Sequence, residues 1–334
     1  MRDTPSLVIQ TSFLGDVVLT TPLLRRLAAR GPVTVVTTAA AAPLLAGHPD
    51  VARLVPYDKR GADAGISGFV RLTRSIATNN PDAVAYLAQG SHRSGALARA
   101  AGYRTRVGFA TSAGRLWYTE SIDGLEGWHH AERLWRLGGN DRPPTPGDLQ
   151  PTLVPSAADV EAAEAMLRGA SASAGSLVAL APGSVWGTKR WPHYAELAAA
   201  LAPRRVAVVG AAADATIAAQ VVGRAPNAID ATGKLPLLAT AALLARCQAI
   251  VTNDSLPLHL ASAMNTPTVA IFGPTVPGFG FGPLAARRAI VEHSDMPCRP
   301  CHSHGPPTCP LGHFRCMQEL TVARVAAAVD EVTA

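Results

Sequence analysis

Three polar clusters, each placed directly after an apolar run, carry the residues of this 334-residue chain that could do chemistry. In "FLGDVVLTTPLL", Gly15 and Asp16 close a loop and open a helix. A carboxylate there can take a proton from a substrate hydroxyl, or it can simply cap the helix, a place Asp favours. In "APGSVWGTKRWPHYAEL", Ser184, Thr188, Lys189 and Arg190 lie between a strand ending at Ala181 and a helix with Pro192 in its first turn. Two hydroxyls, a compact ammonium and a guanidinium able to bind bidentately make a grip for a diphosphate. The competing reading is a polar surface loop between two packing tryptophans. In "NDSLPLHLASAMNTPTVAIFGPT", Asp254, Ser255 and His259 stand at the mouth of an Ala-rich helix, after the apolar run "AIV". The free N–H groups and positive dipole of a first helical turn favour a phosphate. His259, four residues after Ser255, falls one turn along on the same face. Ordinary capping is the alternative.

The elements that position these clusters follow from short β-branched runs alternating with Ala/Leu/Arg-rich stretches, the pattern of parallel strands with helical crossovers. "SLVIQ", "VTVVTT", "VARLVPYD", "DAVAYLA" and "RTRVGFA" read as strands of a first half, with a helix from about Val17 to Arg30. The Pro- and Gly-rich stretch Gly138–Ser156 interrupts the rhythm and marks a domain boundary. After it, Ser156 is placed to cap "DVEAAEAMLRG", and "LVALAPGS", "RVAVVGAA", "AIDATG", "AIVTND" and "TVAIFGPT" read as a second set of strands. Helices "WPHYAELAAALA" and "LPLLATAALLARC" lie between them. The expected architecture is α/β, two Rossmann-like domains with parallel sheets, residues 1–155 and 156–334. Ligands are expected beyond the carboxyl ends of the strands and in the cleft between the domains. The loop before Asp16 lacks G-x-G-x-x-G, and the Lys189 loop lacks the Walker spacing.

Composition narrows the function classes. Apolar residues make up 48% of the chain and charged residues 16%, a globular rather than disordered balance. No apolar run approaches the ~20 residues of a membrane-spanning helix, and the first residues carry no secretory pattern, so a cytoplasmic protein is expected. The net charge is +6, concentrated in the first half, where residues 1–155 hold 17 Lys and Arg against 12 Asp and Glu. That half suits an anionic partner. Lysine is rare, with Lys59, Lys189 and Lys234 against 27 arginines, so a lysine inside a polar motif stands out.

With "GDVVLTTPLL", "APGSVWGTKRWP" and "NDSLPLHLASAMNTPTVAIFGPT" in order along the chain, the sequence resembles glycosyltransferase family nine, the ADP-heptose:lipopolysaccharide heptosyltransferases, in its heptosyltransferase II form. The resemblance runs from Leu7 to the last helix. It implies an enzyme of GT-B architecture, two Rossmann-like domains facing across a cleft. The N-terminal domain would bind the acceptor and the C-terminal domain the nucleotide sugar, and the last helix would pack back on the N-terminal domain. It implies inverting transfer of heptose from ADP-heptose to the lipopolysaccharide inner core, without a catalytic metal. Residue by residue, Asp16 would be the base. Lys189 would act with Ser184 and Thr188 on the donor diphosphate, and Asp254, Ser255, Leu256 and His259 would hold the nucleotide sugar. Asp214 in "GAAADA" is a candidate for the ribose. Leu256 departs from the family, where glycine often follows the "DS" or "DT" pair and lets a ligand approach the backbone. On the acceptor side, Lys59, Arg60, His92 and Arg93 would meet carboxylates and phosphates. The partner would be a lipid-linked anionic saccharide, with peripheral contact at the cytoplasmic face of the inner membrane.

The tract "CRPCHSHGPPTCPLGHFRC" leaves two readings open. Cys298, Cys301, Cys309 and Cys316 could close a structural zinc site, or remain free thiols in a reducing cytoplasm. The C-x2-C pair has ligand spacing; the remainder matches no standard finger. Two other functions compete with heptosyl transfer: a glycosyltransferase of the same fold with another donor or acceptor, and a zinc-containing nucleic-acid-binding protein. The last predicts aromatics interleaved with arginine on one face, and the chain is poor in aromatics, so no nucleic-acid partner is expected.

Overall fold

The computed structural model describes residues 4–123, 126–168, 176–225 and 228–334. Two compact units meet between Val154 and Pro155, inside the Pro- and Gly-rich stretch. In the first, β1 (Ser6–Gln10), β2 (Val33–Thr38), β3 (Arg53–Tyr57), β4 (Val84–Leu87), β5 (Thr105–Phe109) and β6 (Glu120–Ile122) form a parallel sheet in the order β3-β2-β1-β4-β5-β6. Its helices are α1 (Leu14–Ala28), α2 (Gly65–Ser75), α3 (His92–Ala100), α4 (His130–Leu137) and the single turn α5 (Pro146–Leu149). The second unit opens with α6 (Ala157–Arg168). Its strands β7 (Leu177–Ala181), β8 (Arg205–Val208), β9 (Ile229–Asp230), β10 (Ala249–Asn253), β11 (Thr268–Phe272) and β12 (Arg288–Glu292) lie in the order β12-β11-β10-β7-β8-β9. Around them run α7 (Tyr194–Ala200), α8 (Ala215–Arg224), α9 (Leu237–Ala245), α10 (Leu256–Ala263), α11 (Arg315–Gln318) and α12 (Val322–Thr333). Each unit thus repeats the doubly wound Rossmann order. The strand sequence reverses between β1 and β4 in one sheet and between β7 and β10 in the other, and these switch points open a crevice at the carboxyl edge.

Helices on both faces bury the central strands completely, so β7, β10 and β11 read as near-continuous apolar runs. The edge strands differ. β12, with Arg288 and Glu292 at its ends, and the three-residue β6 carry charge and exposed positions, so neither has the apolar signature. Helix α1 starts at Leu14, three residues before the sequence suggests, and carries Pro22 in its interior. Proline cannot donate to the Val18 carbonyl, and the Thr21 hydroxyl takes that place at 2.8 Å. Ser156 does cap α6: its Oγ accepts from the Asp159 N–H at 3.2 Å, and Asp159 accepts in return from the Ser156 N–H at 2.9 Å. The last helix lies on the second sheet, with Val325, Val329 and Val332 in that unit's core.

One tryptophan anchors the second core. Trp191 is 2% exposed, sits edge-on to Tyr194 with ring centres 5.2 Å apart, and donates its indole N–H to the Leu320 carbonyl at 2.9 Å. It joins the loop after β7 to the segment before α12. Trp191→Ala is expected to cost the second unit about 3–5 kcal/mol, read as a lower urea midpoint for that unit by circular dichroism.

Candidate active site

At the second switch point the segment after β7 meets the segment after β10. Asn253, the last residue of β10 and fully buried, holds the two together. Its amide nitrogen donates to the Pro182 carbonyl at 2.9 Å, and its oxygen accepts from the Trp191 N–H and the Tyr194 hydroxyl, both at 3.2 Å. Lys189, in the 3₁₀ turn Gly187–Lys189, then reaches Asp254, Nζ to Oδ2 2.6 Å, with the side chains 10% and 12% exposed. The same carboxylate oxygen accepts from the Thr275 hydroxyl at 2.8 Å. An ammonium has three N–H bonds; Asp254 takes one and two remain. Ser184 accepts from the Trp186 N–H at 3.3 Å through its Oγ, and its carbonyl accepts from Arg190 Nε at 2.8 Å. Thr188 is buried and gives its hydroxyl proton to the Pro306 carbonyl at 2.5 Å. It therefore braces the loop instead of presenting a donor.

The capping alternative for Ser255 is not realised. Ser255 is the N-cap residue of α10 but accepts no side-chain bond from the helix, and its hydroxyl points to the Asn253 carbonyl at 3.4 Å. Asp254 is turned to Lys189, so the first turn of α10 keeps its positive end. Leu256 begins the helix half-buried, and His259 is buried one turn along, edge-on to Phe281 with ring centres 6.4 Å apart. Asp214 lies over the ends of β7 and β8. Its Oδ2 accepts from the Ala211 N–H at 2.9 Å, and a Cβ at Gly183 or Gly210 would collide with its carboxylate. Glycine is required at 183 for that close approach.

In the first unit the switch point holds a different set. Thr11 and Ser94 donate to the Gln89 side-chain oxygen at 3.3 and 2.7 Å, joining the loop after β1 to that after β4. Phe13 is the N-cap residue of α1, and Asp16, two residues into the helix from Leu14, accepts from the Phe13 N–H. Both readings of Asp16 thus meet in one side chain. It serves the helix start, yet burial lifts its pKa from 3.8 to about 6 against the lowering effect of that N–H. Helix α4 packs on α1 and brings His130 Nε2 to 3.7 Å from Asp16 Oδ1, each side chain 17% exposed. Lys59, Arg60 and His92 are exposed, while Arg93 is committed to the Tyr57 hydroxyl and stacks near the rings of Tyr57 and Phe69.

The zinc expectation is corrected. Among the described residues no three His, Cys, Asp or Glu side chains are arranged to hold a metal ion. All five cysteines are free. The Cys301 thiol donates to the Cys298 carbonyl at 3.1 Å, and burial, with neighbouring thiols, pushes Cys316 up to about 11. Zinc is therefore not supported at Cys298, Cys301, Cys309 and Cys316, although the other three thiols act electrostatically on Cys316. Their tract does touch the site: Gly305, at φ +82°, packs on the Lys189 stem, a conformation and proximity that exclude a side chain. Sequence reasoning missed Asn253, Thr275, His130 and Arg299. The Arg299 guanidinium is 2% exposed, and it fastens the loop after β11 through the Thr275 carbonyl at 2.9 Å and Glu292 at 2.7 Å. For Asn253 and Thr275 a signal existed, since one ends a strand and the other follows a strand end; for His130 and Arg299 none did.

Two stability measurements test this geometry. Asp254→Ala strands the Lys189 charge and is expected to cost about 2–4 kcal/mol, whereas Lys189→Met combined with Asp254→Ala recovers at least half, because breaking a buried pair costs more than removing it. For Asp16 the folded pKa is raised, so the folded chain binds more protons than the unfolded one between 3.8 and about 6, and stability falls as pH rises through that window. Asp16→Asn is therefore expected to be more stable than the parent at pH 8, by on the order of 2–3 kcal/mol. The gain should vanish as the pH falls toward 4, in thermal melts across the range.

Comparisons with known proteins give the family. The family model described as glycosyltransferase family 9 (heptosyltransferase) matches residues 69–310. Lipopolysaccharide heptosyltransferase 2 of Escherichia coli K12 is 31% identical over 308 residues, covering 86% of this chain and 87% of that protein. The solved structure of E. coli ADP-heptose LPS heptosyltransferase II superposes with a TM-score of 0.78 at 25% identity, over 100% of this chain and 98% of that one. A family 9 glycosyltransferase from Veillonella parvula gives a TM-score of 0.87 at 22% identity, again over 100% and 98%. Two Rossmann-like units in one chain are the GT-B class, and the chain belongs to glycosyltransferase family 9, the heptosyltransferase family, and is an enzyme of glycosyl transfer.

Proposed function

We propose that this enzyme moves a heptosyl group from ADP-heptose to the inner core of lipopolysaccharide, with inversion at the anomeric carbon and Asp16 as the general base. The observation that carries the reading is the pair of switch-point clusters. One is a buried carboxylate in the first unit; the other is a partly satisfied ammonium beside an uncapped helix start in the second. The relatives' names supply the donor and acceptor classes. Residues 1–155 would serve the acceptor and residues 156–334 the donor.

In the proposed step the acceptor hydroxyl oxygen attacks the anomeric carbon, the bond from that carbon to the β-phosphate oxygen breaks, and ADP leaves with the bonding pair. The hydroxyl proton passes to Asp16. A carboxylate with a pKa near 6 is a stronger base than one at the ordinary value, yet remains ionised at neutral pH. His130 would hold the Asp16 carboxylate in place from α4. The two N–H bonds Lys189 retains, the Ser184 hydroxyl and the first turn of α10 at Ser255 would take the charge growing on the diphosphate. Asp254 would keep Lys189 aimed. His259 and Leu256 would line the donor position, and Asp214 would accept from the ribose hydroxyls. Lys59, Arg60 and His92 offer charge to an anionic, lipid-linked acceptor, with Arg93 set behind them. Contact with the cytoplasmic face of the inner membrane follows from that acceptor; among the described residues no helix is long and apolar enough to cross a membrane.

Two results test the assignment. ADP is expected to stabilise the protein above UDP and GDP in a thermal-shift panel, by ~2.7 kcal/mol at ~100 times its dissociation constant; equal effects of all three would remove the donor assignment. Asp16→Ala should keep ADP binding while transfer nearly disappears, and Lys189→Ala should lower turnover by ~10²–10³ and weaken ADP. Full transfer by the Asp16 variant would take the base role from that residue.

A further inference from the structure

A cavity lined by arginines lies at the other edge of the first sheet. Helix α3 runs back from the carboxyl edge, and its last turn, with the Gly102–Arg104 connection into β5, opens a cavity of about 720 Å³. Phe69 of α2, Tyr103 and Trp117 supply aromatic walls; Arg99, Arg104 and Arg106 supply charge. The cavity sits at the amino end of β5, whereas Asp16 follows the carboxyl end of β1. At ~3.3 Å per residue, a five-residue strand separates the two by on the order of 15 Å.

The arginines are arranged as a receptor would have them. Arg106 is 9% exposed, and its guanidinium is fixed by carbonyls: Nε donates to Trp117 at 2.5 Å, and Nη1 donates to Tyr103 at 2.6 Å and to Arg104 at 3.0 Å. Its Nη2 has no hydrogen-bond partner among the described residues. Arg99 and Arg104 are exposed and make no ion pair among them. Burial, and then the charge of Arg99, hold the Arg106 pKa below its ordinary value. Three cations with no carboxylate between them repel one another, and an arriving anion relieves that repulsion and the cost of burying Arg106. A guanidinium with free N–H bonds matches phosphate oxygens. The aromatic walls match a sugar or glycerol body beside the phosphate.

We infer that this cavity binds a phosphate-bearing ligand, with the phosphate on Arg106, Arg99 and Arg104 and its organic body against Trp117 and Phe69. Such a phosphate arrives either on a soluble ester or as the headgroup of a membrane lipid. Had Arg106 only a carbonyl-tying role, the charges of Arg99 and Arg104 would be dispensable.

The test uses the full chain. Glycerol 3-phosphate and inorganic phosphate are titrated calorimetrically, and flotation is measured with phosphatidylcholine vesicles with and without about 20 mol % phosphatidic acid. Saturable binding of at least one probe is expected, weakened on the order of tenfold or more by Arg99→Glu with Arg104→Glu. Both side chains are exposed and unbonded, so this variant should fold. Arg224→Glu with Arg287→Glu makes the same charge change at exposed positions of the second unit and should leave binding intact. Arg106→Gln, if folded by circular dichroism, should abolish it. Binding of the soluble probes alone assigns a soluble ester; binding only to acidic vesicles assigns a lipid headgroup. No saturable binding of any probe, binding indifferent to Arg99 and Arg104, or equal loss in both charge-reversal variants overturns the inference.

Discussion

The ion pair between Lys189 and Asp254 is the constraint around which the second unit is organised. Each residue leaves the end of a different strand, β7 and β10, and the two charges can be buried only together. Removing an ammonium from water is costly unless an anion and further hydrogen bonds receive it. Asp254 supplies the anion, and Thr275, from the loop after β11, shares the same carboxylate oxygen. Three strand ends are thereby drawn to one point. Asn253 secures the geometry beneath by tying the carbonyls after β7 to the helix after it. With Asp254 turned inward, it is not spent on capping α10, and the helix start stays electropositive beside a lysine that still has donors to give.

The first unit uses the same topology toward an opposite end. Its switch point carries no cation at the equivalent place but an acid, Asp16, whose carboxylate is kept from water by α4 and pushed up toward neutrality. One fold, repeated, thus presents a buried acid in one copy and an ammonium beside an uncapped helix start in the other. Position on the carboxyl edge is common to both, because in a parallel sheet only that edge gathers the loops leading from strands into helices. The choice of side chain at that edge then sets the chemistry.

The cysteine tract serves the site mechanically. Gly305 lies against the Lys189 stem, the Pro306 carbonyl takes the Thr188 hydroxyl, and Arg299 clamps the loop that carries Thr275. A segment whose cysteines the sequence leaves open between metal ligands and free thiols lies, in the fold, against the Lys189 stem and the Thr188 hydroxyl. Cys301 donates to the Cys298 carbonyl, and Cys298 packs against the apolar core that holds Cys316.

The sequence by itself determined the class of fold and the succession of the buried strands along the chain, and it marked three polar loops after strand ends. It could do so because central parallel strands are apolar throughout and the loops after them must carry whatever polar chemistry the sheet presents. It missed β6 and β12, whose edge positions tolerate charge, and it could not place the start of α1, because Leu14 and Gly15 carry no capping signal. Which polar residues meet was decided only by tertiary structure. Lys189 and Asp254 are 65 residues apart, and Asp16 and His130 stand on helices at opposite ends of their unit's sequence. The turning of Thr188 toward Pro306 and the burial that raises the Asp16 pKa likewise depend on distances across the fold. Local sequence fixes which residues leave a strand end, but only packing fixes what they face and how much water they keep.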